Sequence, residues 1–213
     1  MTPSLSSVYE ALVAFAASEP FADLVAQERA RFTNRVGAFS PSDAWFEERS
    51  AALWDRVLTR PEVLTKIESM APSTFGREHR AALVALARAQ RGLFEVHAAP
   101  DGAVDVVCIV RGAAFRLAPG DDAARALVSG RGVDDDVAPG MIDARVVPTA
   151  EGVAILPGIL VHRAEATESI ASIIERSRER ALADDDLFDA LLSMRHRLAS
   201  LSRMKARQVY RID

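Results

Sequence analysis

The side chains that could carry acid–base or metal chemistry are spread along this chain rather than grouped. The four histidines are His79, His97, His162 and His196, and none lies in the spacing of a helical metal-binding motif such as HExxH. Because a metal site needs several converging ligands, we expect no bound metal. His97 and His162 fall on predicted strands, where they could meet across a sheet and form an unfamiliar enzyme site.

Candidate nucleophiles and phosphate-binding loops are also weak. Cys108 lies in the apolar run Val106–Val110, where a free cysteine usually behaves as a small hydrophobe. Gly130 and Gly132 lack the third glycine of a dinucleotide-binding loop. The aspartate runs at 134–136 and 184–186 lack the alternating ligands of a calcium loop, and the second suits a helix N-terminus. We therefore expect no cofactor and no catalysis.

The strongest positive signal is a basic stretch at the C-terminal end. Residues 195–213 hold six basic side chains and one acidic side chain. Helical spacing places Arg203 and Arg207 on one face, which Arg211 extends if the helix continues. Such a stripe fits a phosphate backbone. The helix dipole and ion pairs with the acidic helix before it explain the stripe better than nucleic-acid binding does.

Two tryptophans complete the candidate interaction surface. Trp45 and Trp54 are nine positions apart in one predicted helix, so they point to opposite faces. One of them can therefore face a partner instead of a core. The predicted surface consists of Trp45, Trp54, Arg195, Arg203, Arg207 and Arg211.

The composition limits the class of protein that can present these side chains. The chain has 213 residues, of which 49% are hydrophobic, and a formal net charge of −4. This excludes a disordered chain and disfavours general polyanion binding. The single cysteine, the lack of a long apolar run and the absence of a basic signal-peptide region lead us to expect a cytoplasmic protein with no membrane partner.

Hydrophobic spacing divides the chain into three parts. Residues 1–91 are predicted to be helical, with a capping box that begins at Ser7 and a C-terminal cap at Gly37. From Gly92 to residue 164 the pattern predicts five short strands, the last of them Val153–Leu160. We expect these strands to close into a small antiparallel barrel of the SH3-like or OB-like kind. The predictions leave open the structure of residues 121–139.

Residues 165–213 are predicted to form a helical hairpin that packs on the rest of the chain. Its second helix has an apolar seam two heptads long, too short to indicate a coiled coil. We therefore expect the seam to pack within the molecule. The predicted fold class is α+β. The seam residues are Leu187, Leu191, Met194, Leu198 and Leu201.

The order of these features resembles a loosely defined group of uncharacterised bacterial proteins. The likeness rests on a β-module that opens at Gly92–Val96 and ends near Ala144–Pro148, followed by helices such as Met194–Tyr210. The group has no known activity, so the resemblance implies an architecture and a bacterial source.

These observations favour a non-catalytic protein–protein interaction or regulatory role in an unknown process, with a protein as partner. The alternative is a nucleic-acid-binding module that uses the basic C-terminal helix. The identity of the protein partner is left open, and a salt-dependent gel shift compared between the wild type and Arg203→Ala/Arg207→Ala separates the two hypotheses.

Overall fold

The computed structural model describes most of the chain. The described residues are 4–43, 45–71, 75, 79–99, 103–117, 139–150, 152–201 and 204–211. Residues 121–138, which include Gly130, Gly132 and the aspartate run at 134–136, lie outside the described residues, and so does Arg203.

The N-terminal part consists of helices, as predicted. A hydroxyl cap starts the first helix, but Ser4 provides it rather than Ser7, because the Ser4 side chain accepts the backbone N–H of Ser7 at 3.2 Å. Gly37 ends the second helix at φ 104°, which confirms the predicted cap. The helices are α1 Leu5–Ala16, α2 Ala22–Val36, α3 Phe46–Leu58, α4 Pro61–Met70 and α5 Arg80–Ala87, with a 3₁₀ turn at Glu19–Phe21.

A curled antiparallel sheet follows, in the shape of a half-barrel. Its strands are β1 Gln90–Ala98, β2 Val104–Cys108, β3 Ala114–Arg116, β4 Pro139–Thr149, β5 Gly152–Ile155 and β6 Leu160–Arg163. The strand order is β3-β2-β1-β4-β5, and β6 also pairs with β4. An isolated parallel bridge between Leu117 and Val153 connects the two ends of this order. The curl buries one face of the sheet inside itself.

Two predicted strand boundaries are wrong. The sheet begins at Gln90 rather than Gly92, because β1 already pairs with β4 there. The predicted strand Val153–Leu160 is two strands, since the chain leaves the ladder after Ile155 and passes Gly158 against α3.

The C-terminal part is again helical. It comprises a 3₁₀ turn at Ala164–Ala166 and the helices α6 Thr167–Glu179, α7 Asp184–Ser200 and α8 Ala206–Val209. The helix does not continue to Arg211, the condition on which Arg211 would extend the basic stripe, since α7 ends at Ser200 and Leu201 has ψ 88°. The break lets the short helix α8 bury Ala206, Val209 and Tyr210. None of the described helices is both long and apolar enough to cross a membrane.

Three apolar cores result, and β4 contributes to all of them. Ile142, Ala144 and Val146 point into the barrel core inside the curled sheet, together with the buried Cys108. On the opposite, helix-facing side, Val147 joins the core of the N-terminal helices. Met141 joins the core beneath α6, α7 and α8, which also buries the predicted seam except for Leu201. The alternation of the strand places Asp143 and Arg145 between these two helix-side cores.

Candidate functional site

A network of buried charges fills the gap between the two helix-side cores. Arg91 on β1 donates two parallel hydrogen bonds to Asp143 on β4, at 3.0 Å from Nε and 2.7 Å from Nη2. Its Nη1 donates to Asp189 on α7 at 2.5 Å. This bidentate geometry is the strongest form of a charge-assisted pair. It ties α7 directly to the centre of the sheet.

The network continues from Asp189 to the N-terminal helices. Asp189 also accepts hydrogen bonds from Arg56 on α3 at 3.1 Å and from Arg35 on α2 at 3.2 Å. Arg56 in turn donates to Glu28 on α2 at 2.5 Å. Burial acts to raise the pKa of Asp189, but the charges and hydrogen bonds of Arg91 and Arg56 outweigh it and hold that pKa below its usual range. We call Glu28, Arg56, Arg91, Asp143, Arg145 and Asp189 the charged layer.

Arg145 differs from the other arginines of the charged layer. Among the residues that the structure describes, its guanidinium has no hydrogen-bond or ion-pair partner. Arg145 lines a crevice together with Arg56, Arg91 and Asp143. The crevice has a cavity volume of about 10 Å³, which is the space of one water-sized sphere. Burial and the positive charge of Arg91 lower the pKa of Arg145. The charges of Asp55 and Asp143 act in the opposite direction, so the crevice combines guanidinium groups with nearby carboxylates.

A second polar group lies beside the layer, between α1 and α3. The Tyr9 hydroxyl donates to Asp55 Oδ1 at 2.5 Å, and the Gly158 backbone N–H donates to Asp55 Oδ2 at 2.9 Å. Asp55 is 0% exposed, and burial raises its pKa to about 6, although Arg145 acts against this. A carboxyl group with this pKa suits proton transfer, but here both of its oxygens accept hydrogen bonds from groups of the protein itself.

Gly158 is required for that arrangement. A Cβ at this position would lie 2.5 Å from the Cα of Ala52 and 2.5 Å from Asp55 Oδ2. The backbones of α3 and of the β5–β6 connection therefore approach too closely for any side chain at position 158.

The sheet does not bring the two candidate histidines together. His97 is exposed opposite Asp105 on β2, whereas His162 is fully buried opposite Met141 on β4. The two rings therefore do not meet across the sheet, as they would have to in order to share a site. His162 Nδ1 instead lies 2.9 Å from the Tyr210 hydroxyl, and burial lowers the pKa of His162 to about 4.

The other two histidines also have structural neighbours. His196 Nδ1 lies 3.0 Å from the buried guanidinium of Arg49. Burial and the charge of Arg49 lower the pKa of His196. His79 packs edge-on against the ring of Phe75. Within the described ranges, no three ligating side chains form a group that could hold a metal ion.

The predicted surface residues occupy different environments. Trp45 and Trp54 are half-buried and pack against the core of the N-terminal helices. Arg195 is 3% exposed, with its guanidinium 3.4 Å from the centre of the Trp45 ring and its Nε donating to Val161 O at 3.0 Å. Arg207 and Arg211 are exposed.

Exposed cations and exposed apolar side chains share the stretch of chain from Arg197 to Arg211. Leu201 and Met204 are each 42% exposed and lie among four exposed basic residues. None of those four cations pairs with a carboxylate in the described part of the chain. We call Arg197, Leu201, Met204, Lys205, Arg207 and Arg211 the C-terminal basic surface.

Two aspartates in the first turn of α7 pair with arginines outside this surface. Asp184 accepts a hydrogen bond from Arg111 at 2.7 Å, and Asp186 accepts one from Arg35 at 2.7 Å. Both aspartates lie at the opposite end of α7 from the basic residues. Neither aspartate therefore neutralises the C-terminal basic surface.

The charged layer was missed in the sequence, although a signal for it exists. Arg91, Asp143 and Arg145 occupy helix-facing positions next to buried apolar residues on the same face, which are Leu93 on β1 and Met141 and Val147 on β4. A charge at such a position predicts a buried ion pair. Asp189 gives the same signal because it lies next to the apolar seam of α7.

Comparison of the chain with protein-family models, with curated proteins and with solved structures gave no match.

Proposed function

We propose that this chain is a non-catalytic interaction module of the bacterial cytoplasm that binds an acidic segment of a partner protein. The binding site is the C-terminal basic surface. The observation that supports the proposal is the presence of four exposed cations, unpaired within the described residues, around the exposed Leu201 and Met204. A partner segment with carboxylates and an apolar side chain complements both features.

The framework behind the surface favours binding over reaction. Tyr210 is anchored on His162, and Ala206 and Val209 are buried beside it, so Arg207 and Arg211 are held outward on a fixed backbone. The hydrogen bonds of Asp189 fix α7 on the sheet. A rigid support of this kind lowers the entropy that is lost on binding.

The fold also bears on the nucleic-acid alternative. We infer that the curled sheet is an OB-like barrel, because the Leu117–Val153 bridge joins β3 to β5 and completes a circuit of five strands. OB barrels bind nucleic-acid strands on the face around β2 and β3 by means of aromatic side chains. Here Asp105 and Arg116 pair at 3.8 Å across that face. Because this ion pair lies on the face where an OB barrel presents aromatic side chains to a nucleic-acid strand, it favours a protein partner.

We further infer that α6 and α7 act as a hairpin that carries the surface. Residues 180–183 connect them, and Ile170 and Ile174 of α6 share a core with Leu187 and Leu191 of α7. A short connection between helices with a common core is typical of a helical hairpin.

Fluorescence anisotropy tests the proposal with two probes: a labelled peptide rich in Glu and Leu, and a labelled poly-dT strand. We expect the peptide to bind in a salt-dependent manner and the double variant Arg207→Glu/Arg211→Glu to bind it roughly tenfold or more weakly. The matched control is Arg29→Glu/Arg88→Glu, which reverses two exposed arginines elsewhere and is expected to bind normally.

The apolar part of the surface is tested with Leu201→Ser/Met204→Ser. We expect weaker peptide binding, whereas Val84→Ser, which changes another exposed side chain, leaves it unchanged. Tight poly-dT binding that is lost in the arginine variant, with no peptide binding, would support the nucleic-acid alternative instead. Equal binding by all variants would overturn the proposed surface.

A further inference from the structure

We infer that His196 and Arg49 form a pH-sensitive clamp, which ties the C-terminal half of α7 to α3 and to the α2–α3 loop and opens when His196 is protonated. The clamp comprises the Arg49 guanidinium, the His196 ring and the backbone carbonyls of Gly37 and Ala38. It is separate from the C-terminal basic surface and does not depend on the function proposed for that surface.

Arg49 on α3 is a buried cation whose hydrogen bonds go to neutral acceptors. It is 2% exposed, and its guanidinium donates to Gly37 O at 2.5 Å and to Ala38 O at 3.2 Å. No carboxylate in the described part of the chain pairs with it, although the charge of Asp43 acts on it from the α2–α3 loop. Because a buried cation needs hydrogen-bond partners, each neutral acceptor of Arg49 matters for the packing of α3.

The third acceptor is His196, and this contact fixes the protonation of its ring. Arg49 Nη1 lies 3.0 Å from His196 Nδ1. A guanidinium has only N–H donors, so Nδ1 must accept the hydrogen bond and the ring proton must lie on Nε2. His196 is therefore neutral when the clamp is closed.

Protonation of His196 removes this hydrogen bond. The proton would add to Nδ1, where it would face another N–H donor and place a second cation 3.0 Å from the guanidinium. No rotation of the ring restores the bond, because a protonated imidazole has no acceptor. The ring also has little free space on one side, since a Cβ at Gly37 would lie 2.9 Å from His196 Cδ2. The protonated ring is therefore expected to move away from Arg49.

The surroundings of His196 let the clamp respond to solvent pH. The ring is half-buried, so it exchanges protons with solvent without unfolding of the chain. Burial and the charge of Arg49 lower the pKa of His196, and Asp43 acts in the opposite direction. The end of α2 contributes only the uncharged Gly37 at the ring.

The neighbouring cations on α7 point elsewhere. The guanidinium of Arg195 lies over the Trp45 ring, and Arg197 is exposed. The clamp is therefore closed at neutral pH and opens below pH 6.5, the ordinary pKa of histidine.

Trp45 provides a fluorescent reporter for the clamp. Its ring centre lies 3.4 Å from the guanidinium of Arg195, the residue before His196. The chain has two tryptophans, so Trp54→Phe leaves Trp45 as the only one. In this variant we expect the fluorescence to change between about pH 7.5 and about pH 5 with a midpoint below 6.5, while circular dichroism shows a folded protein.

Two further substitutions in the same background assign the change. His196→Asn places a side-chain oxygen near the position of Nδ1 and does not titrate, so we expect the fluorescence change to be lost. His97→Asn replaces an exposed histidine elsewhere and is the matched control, for which we expect the change to be retained. Asp55 and His162 are present in all of these proteins, so their titration does not distinguish the variants.

Nitrogen NMR of the wild-type protein tests the same contact without a substitution. We expect the His196 ring proton on Nε2 at neutral pH. We also expect the amide signals of Ala38 and Phe39, which follow the two bound carbonyls, to shift with the same midpoint as the His196 ring.

Each outcome supports or overturns the clamp. A fluorescence change that His196→Asn retains, a signal of Trp45 that does not depend on pH, or a ring proton on Nδ1 at neutral pH would overturn it. If the variants do not fold, the NMR titration of the wild-type protein decides alone. Amide signals of Ala38 and Phe39 that do not follow the His196 titration would then overturn it.

Discussion

Two buried groups of this protein, Asp55 and His162, are expected to give opposite pH dependences of stability, so that each offsets the other in the wild-type protein. A mutation of either group reveals the pH dependence that the other one causes. Burial raises the pKa of Asp55 from 3.8 to about 6 and lowers the pKa of His162 from 6.5 to about 4. At roughly 1.4 kcal/mol per pKa unit, each difference corresponds to about 3 kcal/mol. Both groups are fully buried, so solvent screening does not reduce these values.

The signs follow from which state binds the proton more tightly. The folded state holds the Asp55 proton more tightly than the unfolded state does, so the contribution of Asp55 to stability falls as the pH rises from about 4 to about 6. The unfolded state holds the His162 proton more tightly, so the contribution of His162 rises between pH 4 and 6.5. In the wild-type protein the two slopes oppose each other over the same range.

Asp55→Asn removes one slope and His162→Asn removes the other. Relative to wild type, we expect Asp55→Asn to lose about 3 kcal/mol more stability between pH 7 and pH 4, and His162→Asn to lose about 3 kcal/mol less. Urea unfolding followed by circular dichroism at several pH values measures this. Groups common to all three proteins, including His196, cancel in the differences. Parallel stability–pH curves for wild type and both variants would refute the reasoning.

The remaining predictions concern stability at neutral pH and are checked by urea unfolding. Ala181 follows α6 with φ 51°, and the neighbouring Leu182 N–H donates to Ser177 O at 3.0 Å. Because glycine adopts this backbone conformation without strain, Ala181→Gly should stabilise the protein by about 1 kcal/mol, whereas Ala171→Gly within α6 should destabilise it by about 1 kcal/mol. Equal effects of the two substitutions would contradict this. Gly158→Ala should cost roughly 1–3 kcal/mol because its Cβ meets the α3 backbone, and a neutral result would show that the contact is loose. Asp189→Asn removes the negative charge that bridges Arg56 and Arg91, so we expect it to lower the free energy of unfolding by about 3–5 kcal/mol. A loss as small as that caused by breaking an exposed ion pair would contradict this.

Much of the fold could be predicted from local signals. The cap at Gly37 and the apolar spacing of α7 are properties of a few neighbouring residues, and both are confirmed. The first helix is less well predicted because Ser4 and Ser7 both suit a cap, and only the backbone decides between them. Local hydrogen bonds therefore fix element type more reliably than element ends.

Features that depend on distant contacts could not be predicted. The break after Ser200 has no proline or glycine to mark it, and it is explained by the burial of Tyr210 against His162. The charged layer joins residues from Glu28 to Asp189, and no short motif contains them. The exposure of Arg207 and Arg211 follows from the same docking of α8.

The central claim is that the C-terminal basic surface recognises an acidic, partly apolar protein segment. A charge-swap measurement by isothermal titration calorimetry tests it most directly, with a Glu/Leu-rich peptide and a Lys/Leu-rich peptide titrated into wild type and Arg207→Glu/Arg211→Glu. We expect wild type to bind only the acidic peptide and the variant to exchange this preference for the basic peptide. If the charge reversal leaves the preference of the protein unchanged, the C-terminal basic surface is not the binding site.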